Sequence, residues 1–432
     1  MIYDLAIIGG GPAGYTAAEL AGKKGLKTIL FEKHSLGGVC LNEGCIPTKT
    51  LLYSAKVYDL TKDASKYGIS CDTLSYDLPK IMARKNKVIR KLVAGIRAKM
   101  NDAGVEMIIG QAKIKSADND LLEIECNEQI YTAKKIILCT GSEAIIPLIP
   151  GIEKTAFWTS KEALDNQELP ESLIVIGGGV IGIEFASFLN SFGSKVKVIE
   201  MMDEILFGMD KEVSAMLRNE LTKKGIEFYL NTKVISLNNN QVEIEKDGEK
   251  LILQTDKILL SVGRKPVISG LKVNDFMQTE NPNIYACGDI TGISLLAHTA
   301  IRQAEVAVNH ILGKNEKMSY QAIPGVVYTN PEMASVGKTE ELLQKQTISY
   351  KVKKLPMAYS GRFVAENEQA NGICKILEGE SGEILGVHIL GNYASEIIVI
   401  AGMAIEKGMK TEELKKIIFP HPTVSEIIKE TL

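Results

Sequence analysis

Residues 4–33 read DLAIIGGGPAGYTAAELAGKKGLKTILFEK. A short apolar run from Tyr3 to Ile8 ends at Gly9, Gly11 and Gly14, a helix-compatible stretch follows, and a second apolar run, LKTILFE, closes on Glu32. Strand, glycine turn, helix and strand in that order are the context in which G-x-G-x-x-G carries meaning. Gly9 permits the tight turn, Gly11 lets backbone approach a pyrophosphate, and Gly14 lets the helix pack closely on the strand. The helix N-terminus then turns free N–H groups and a positive dipole end toward phosphate, and Glu32 offers acceptors to a ribose diol.

Residues 172–201, SLIVIGGGVIGIEFASFLNSFGSKVKVIEM, repeat the unit. A shift of 168 places Gly9, Gly11 and Gly14 on Gly177, Gly179 and Gly182, and Glu32 on Glu200, without a gap. A lone G-x-G-x-x-G is often just a glycine-rich turn. Two copies in register, each closed by its acid, point to two dinucleotides.

The rest of the chain sets the frame around these units. At 432 residues it holds two or three domains, and 45% hydrophobic with 24% charged residues is the composition of a folded globular protein. The net charge of −3, from 50 Lys+Arg against 53 Asp+Glu, supplies no broad basic field, so no nucleic acid is expected as a partner. No apolar run approaches the roughly 18 residues of a spanning helix, and MIYDLAIIGG lacks a basic leader, so the expectation is a cytoplasmic protein with no membrane association. Arg84 to Lys99, on a long helical pattern, reads as a solvated basic face. A β-rich run and the buried strand KKIILCTGS lead to the Pro147 and Pro150-Gly151 boundary. After the second unit come DKILLSVGRKP, then NPNIYACGDITG and a helical stretch. From about Ile323 strands recur at short intervals, which predicts an α+β domain with an antiparallel sheet.

Cys40 and Cys45 lie in GGVCLNEGCIPTK, right after the first unit. Their spacing suits neither a C-x-x-C zinc site nor a thioredoxin-type pair, and no metal site is expected. In a regular helix i and i+5 lie about 8–9 Å apart, beyond disulfide reach, so a bridge requires a distorted turn, which Gly37, Gly38 and Gly44 make available. Spacing alone leaves two unrelated buried thiols equally open.

GGVCLNEGCIPTK resembles the redox-active motif of the pyridine nucleotide–disulfide oxidoreductases, within them the dihydrolipoamide-oxidising branch. The likeness runs on through CTGS at 139–142, VGRKP at 262–266, IYACGD at 284–289, YTNPEMASVG at 328–337 and HPTVSE at 421–426. It implies an α/β fold of two Rossmann-like domains, FAD-binding over 1–146 with 271–318 and NAD-binding over 147–270, plus a C-terminal α+β dimerisation domain over 319–432. It implies that Cys40 is the interchange thiol, Cys45 the thiol beside the flavin, and Lys49 a neighbour of the flavin paired with Glu184. Asp289 is implied to bind the FAD ribitol, with Leu295 to His298, Ala297 among them, covering the flavin. Thr140, Gly141 and Ala112 are further FAD positions, while Gly177 to Glu184, Glu200, Val234 and Gly263 are those of NAD.

Five histidines occur, and His421 stands out because Pro420 and Pro422 stiffen its backbone and Glu426 follows five residues on. A carboxylate on one imidazole nitrogen fixes the tautomer and raises basicity, which suits a base acting on thiols. The resemblance implies that His421 serves the disulfide of a neighbouring subunit, hence a homodimer.

The implied activity is oxidation of protein-bound dihydrolipoamide with NAD+ as acceptor, the lipoyl group coming from a separate carrier of a 2-oxo acid dehydrogenase complex or the glycine cleavage system. Alternatives are a related reductase of another disulfide and a non-catalytic flavoprotein subunit. Glu200-Met201-Met202-Asp203 offers no cation for a 2′-phosphate, which disfavours NADPH enzymes. The last cysteine, Cys374, leaves no C-terminal metal-delivering pair, and the presence of both Cys40 and Cys45 disfavours single-cysteine relatives. The chain departs from the family pattern at Phe419-Pro420, where His-Ala is common, and in the short stretch of about twenty residues from Val267 to Cys287.

Overall fold

The computed structural model describes residues 1–117, 121–367 and 371–432. They form two compact units: Met1–Thr50 with Pro79–Ile145 and Gly263–Ser319, and Leu51–Leu78 with Ile146–Val262 and Tyr320–Leu432. Among the described residues no helix is long and apolar enough to cross a membrane.

In the first unit the apolar run Ile2–Ile8 is a central strand, parallel to Thr28–Glu32 on one side and Gln129–Leu138 on the other. Glu106–Ile109 extends the sheet beyond Thr28–Glu32, and Ile284–Ala286 pairs in parallel with Gln129–Leu138. Leu5, Ala6 and Ile7 are fully buried, as the middle of a parallel sheet covered on both faces must be. The helix Pro12–Lys23 presents Ala13, Gly14, Ala17, Ala18 and Ala21 as its buried side, small enough for close packing with the helix Ala297–Ile311. Leu122–Cys126 and Lys113–Ser116 add an antiparallel ribbon.

The second unit repeats this plan and adds to it. Four parallel strands run in the order Glu227–Tyr229, Lys195–Ile199, Ser172–Ile176, Lys257–Leu260. A three-stranded antiparallel sheet, Lys233–Asn238, Gln241–Lys246 and Glu249–Gln254, packs its apolar side with them through Leu237, Val242, Ile244 and Leu253. The C-terminal part is a five-stranded antiparallel sheet in the order Gly325–Val327, Met333–Gly337, Ile384–Leu390, Ile373–Gly379, Tyr350–Pro356. The helices Ala394–Glu406 and Glu426–Thr431 share its core through Ile397, Ile398, Ala401, Ile427 and Ile428.

The two Rossmann-like sheets and the C-terminal α+β region are those expected, but two segments fall elsewhere. Residues 263–270, expected with 147–262, group with the first unit. Residues 51–78 group with the second unit, not with the rest of 1–146. Tyr58 and Tyr76 meet Phe192 at centroid distances of 5.1 and 4.9 Å, and Asp59 accepts from the Ser191 hydroxyl at 2.9 Å. Aromatic burial against the second glycine unit decides the grouping.

Candidate active site

The two glycine turns have matching geometry. Gly9 and Gly177 have φ of +106° and +105°, a conformation that a side chain would strain. A Cβ on Gly14 would strike the carbonyl oxygen of Gly9, and one on Gly182 that of Gly177, so both helices sit directly on their turns. By contrast, a Cβ on Gly11 would find only Gly38 Cα, at 3.8 Å, and one on Gly179 only Ser261 O, at 4.0 Å. That is the open approach a pyrophosphate needs at a helix N-terminus. Glu32 accepts from the amides of Gly10 and His34, both at 2.7 Å, and Glu200 from those of Gly178 and Met202 at 2.7 and 2.8 Å. Each acid is thus fixed beside its turn with lone pairs left for a ribose. Thr140 Oγ1 is buried without a hydrogen-bond partner among the described residues, beside Gly141 at φ +75°. These residues fit a dinucleotide at each turn.

The cysteine segment lies against the first turn. Gly37 donates its amide to Gly10 O at 2.8 Å, and a Cβ on Gly38 would come within 2.7 Å of Gly11 Cα. Two helices meet here, Gly38–Asn42 and Cys45–Lys62, broken at Glu43, whose φ is −134°. The break is the distortion that the five-residue spacing demands: Cys40 ends up in one helix and Cys45 opens the next. Asn42 braces the first by donating to Leu36 O and Gly38 O at 3.0 and 2.9 Å, and the Thr48 hydroxyl anchors the second on Gly44 O at 2.6 Å. Both cysteines are free thiols, half-buried and hydrogen-bonded to each other. The bond to Cys45 and then burial push the Cys40 thiol well above its usual range; Lys49 pulls it down and Asp289 pushes it up. The dithiol therefore sits in the combined field of Lys49 and Asp289.

His421 is on the surface of the second unit, its side chain 79% exposed. Its Nδ1 is 2.9 Å from Glu426 Oε1, and Glu426 Oε2 accepts from the Thr423 amide at 2.8 Å. That amide first, and His421 second, hold the Glu426 carboxyl below its usual range. With Nδ1 engaged, Nε2 is the nitrogen left to take a proton. Glu184 is buried in the helix Val180–Ser191 and accepts from the Tyr328 amide at 3.0 Å.

Residues 3–307 match the pyridine nucleotide-disulphide oxidoreductases, and residues 323–432 match the dimerisation domain of those enzymes. The chain belongs to this family. It is 40% identical to the dihydrolipoyl dehydrogenase of Mycoplasma pneumoniae, covering 100% of this chain and 98% of that one. Among solved structures it is similar to an HOCl-induced flavoprotein disulfide reductase, RclA, from Escherichia coli, at 29% identity and a TM-score of 0.85 over 99% of both chains. It is likewise similar to LpdA from Mycobacterium tuberculosis, at 25% identity and a TM-score of 0.89 over 99% of this chain and 98% of that one.

As a pyridine nucleotide-disulphide oxidoreductase, the chain carries both glycine turns and the thiol pair within the span that matches the oxidoreductase and a dimerisation domain after it. FAD and NAD are the cofactors of that family's dihydrolipoyl dehydrogenases. The other expected positions are more loosely defined. Ala297 opens the helix Ala297–Ile311, Val234 is half-buried in the strand Lys233–Asn238, and Ala112 packs against the core of the first sheet. Gly263 has φ +111°, and its carbonyl accepts from the Ile145 amide at 3.0 Å. Of the five remaining cysteines, Cys126, Cys139, Cys287 and Cys374 are buried, whereas Cys71 is exposed in an irregular stretch. Tyr15 went unnoticed in the sequence although it stands by the thiols: burial, then Cys40 and Cys45, raise its phenol. The same holds for Ser142, which donates to Asp289, and Arg264, which donates to Ser142.

Proposed function

We propose that this protein is an NAD-dependent dihydrolipoamide oxidoreductase working on a lipoyl group carried by a separate protein, as a homodimer. The observation that carries the reading is the Cys40 and Cys45 pair, hydrogen-bonded across a helix break that rests on the first glycine turn. The M. pneumoniae relative, named a dihydrolipoyl dehydrogenase, supports the choice of substrate.

In the oxidised enzyme Cys40 and Cys45 are joined by a disulfide. The partner subunit's His421, oriented by Glu426, takes the proton of a dihydrolipoamide thiol. The thiolate attacks Cys40 Sγ, and Cys45 Sγ leaves with the bonding pair. The second substrate thiol then displaces Cys40, so lipoamide departs as a disulfide and the enzyme keeps both electrons as a dithiol. FAD, when bound, supplies the two-electron path from this dithiol to NAD+, which becomes NADH. Gly9, Gly11, Gly14, Glu32, Thr140, Gly141 and Asp289 hold FAD, with Ala112 and Ala297 beside it; Gly177, Gly179, Gly182, Glu200, Val234 and Gly263 hold NAD. Lys49 stands next to the flavin, and Glu184 belongs to the helix of the second glycine turn. The FAD domain takes 1–146 and 271–318, the NAD domain 147–270 and the interface domain 319–432.

The decisive experiment is dihydrolipoamide-dependent formation of NADH by the parent and by Cys40→Ser, each with its flavin content measured. Loss of turnover with flavin retained is expected. Unchanged turnover in Cys40→Ser, or a faster reaction with glutathione disulfide and NADPH than with lipoamide and NADH, overturns the reading.

A further inference from the structure

Three residues from separate segments of the first unit form one chain of hydrogen bonds. Arg264 Nε donates to Ser142 Oγ at 2.8 Å, and Ser142 Oγ donates to Asp289 Oδ2 at 2.5 Å. Arg264 Nη2 also donates to the main-chain oxygen of Ser142 at 2.6 Å. A hydroxyl has one proton; because Ser142 Oγ already accepts from the guanidinium, that proton points to the carboxylate. The second guanidinium contact fixes the arginine fork, so both links are held in direction as well as distance. Ser142 is buried, which strengthens a charge-assisted chain.

The main chain does not need this relay. The strands Ser142–Ala144 and Arg264–Pro266 pair in antiparallel register, with Ile145 N on Gly263 O at 3.0 Å and Val267 N on Gly141 O at 3.1 Å closing the ribbon. The turn that carries Asp289 is held separately, by Gly288 N donating to Gln303 Oε1 at 2.6 Å. What the relay adds is the orientation of one carboxylate, and it starts from the residue that follows Gly263.

We propose that Ser142 and Arg264 are positioning residues: they aim the Asp289 carboxylate at FAD and tie its aim to the NAD-binding segment at Gly263. This rests on the reading above, in which Asp289 holds FAD and Gly263 faces NAD. Losing either link frees Asp289 to rotate, and a hydrogen bond to a charged group is worth enough to weaken FAD binding about tenfold.

The test measures FAD dissociation from reconstituted holoenzyme, with and without saturating NAD+, for the parent, Ser142→Ala, Arg264→Met, Arg264→Lys and the Ser142→Ala/Arg264→Met double variant. Both single variants are expected to bind FAD about tenfold more weakly, Arg264→Lys less so, and the double variant no more weakly than the singles, because one chain is broken once. NAD+ is expected to change FAD dissociation in the parent and to have no effect in Ser142→Ala or Arg264→Met. FAD affinity within twofold of the parent in both single variants, additive losses in the double variant, or no NAD+ effect in the parent overturns the proposal. Asp289→Asn separates the two levels: unaltered FAD affinity there removes the underlying reading of Asp289, whereas a loss there with none in Ser142→Ala removes the relay alone.

Discussion

Glu426 divides its two oxygens between the His421 ring at 2.9 Å and the Thr423 amide at 2.8 Å, so a glutamine in its place, whose NH2 cannot accept, keeps the shape but loses the charge and one of the two contacts. Glu426→Gln is therefore expected to lower kcat on the order of 100-fold, the lower end of what a positioned acid–base group contributes, with flavin content unchanged. Steady-state kinetics decide; an unaltered kcat removes the acid–base role of the pair. Glu426 has its carboxyl below the usual range, so the charge that orients His421 is complete above the ordinary carboxylate pKa and is lost only as pH falls through the lowered value. Glu200 permits a second prediction: on the proposed reading its carboxylate binds the ribose diol of NAD, where a 2′-phosphate would be repelled. Glu200→Ala is expected to raise kcat/KM for NADP+ relative to NAD+ about tenfold, the scale of removing one close like charge; an unchanged ratio assigns cofactor choice elsewhere. Residues such as Glu32 and Glu200 were legible in the sequence because each serves a turn 22 positions away in a repeated unit. The link from Arg264 through Ser142 to Asp289 was not: both residues stand in quoted motifs, CTGS and VGRKP, but the contacts span 122 and 147 positions and no local pattern marks them.

The elements divide in a similar way. Both strand–turn–helix units could be read because period and glycine spacing act over a few residues, and the glycines test that directly. Gly14→Ala and Gly182→Ala each drive a methyl into a turn carbonyl, at a cost of about 1–3 kcal/mol for overpacking. Gly14→Ala is expected to purify depleted in FAD, whereas Gly182→Ala keeps its FAD and shows a raised KM for NAD+. Equal FAD loss in the two variants contradicts the assignment of separate sites to the two turns. The thiol segment was legible only in part: five-residue spacing demands a distortion, but that the distortion is a full break at Glu43 between two helices depends on packing against the first turn, through Gly37, Gly38 and Gly11. The place of residues 51–78 was hidden for the same reason, because Tyr58 and Tyr76 find Phe192 only in three dimensions.

Larger still is a buried polar cluster that joins the half of the second unit carrying the second glycine turn to its C-terminal sheet. Lys375 and His388 face each other across adjacent strands, and Ser335 is next in the same cross-strand row. Lys375, 1% exposed, meets Asp210 and Glu212 at 3.0 Å and also pairs with Glu340. Burial alone would lower its ammonium, but Glu340 and Asp210 outweigh that and hold it raised. Lys375→Met removes the cation and leaves Asp210 buried without its counter-charge, a loss of about 3–5 kcal/mol that thermal unfolding would show as a clear fall in Tm. His388 Nε2 donates to Lys338 O at 3.0 Å, while its Nδ1 is buried without a partner among the described residues. Burial depresses its pKa, with Lys375 acting the same way and Asp210, Glu341 and the Lys338 carbonyl opposing. A depressed pKa means the unfolded chain takes up a proton that the folded chain refuses, so stability is complete above the ordinary histidine pKa of about 6.5 and falls as pH drops below it. His388→Leu removes that proton uptake. Its Tm is expected to depend less steeply on pH than the parent's between about pH 7 and 5.5, and parallel pH profiles for the two proteins would mean that the acid sensitivity of this unit arises from another group.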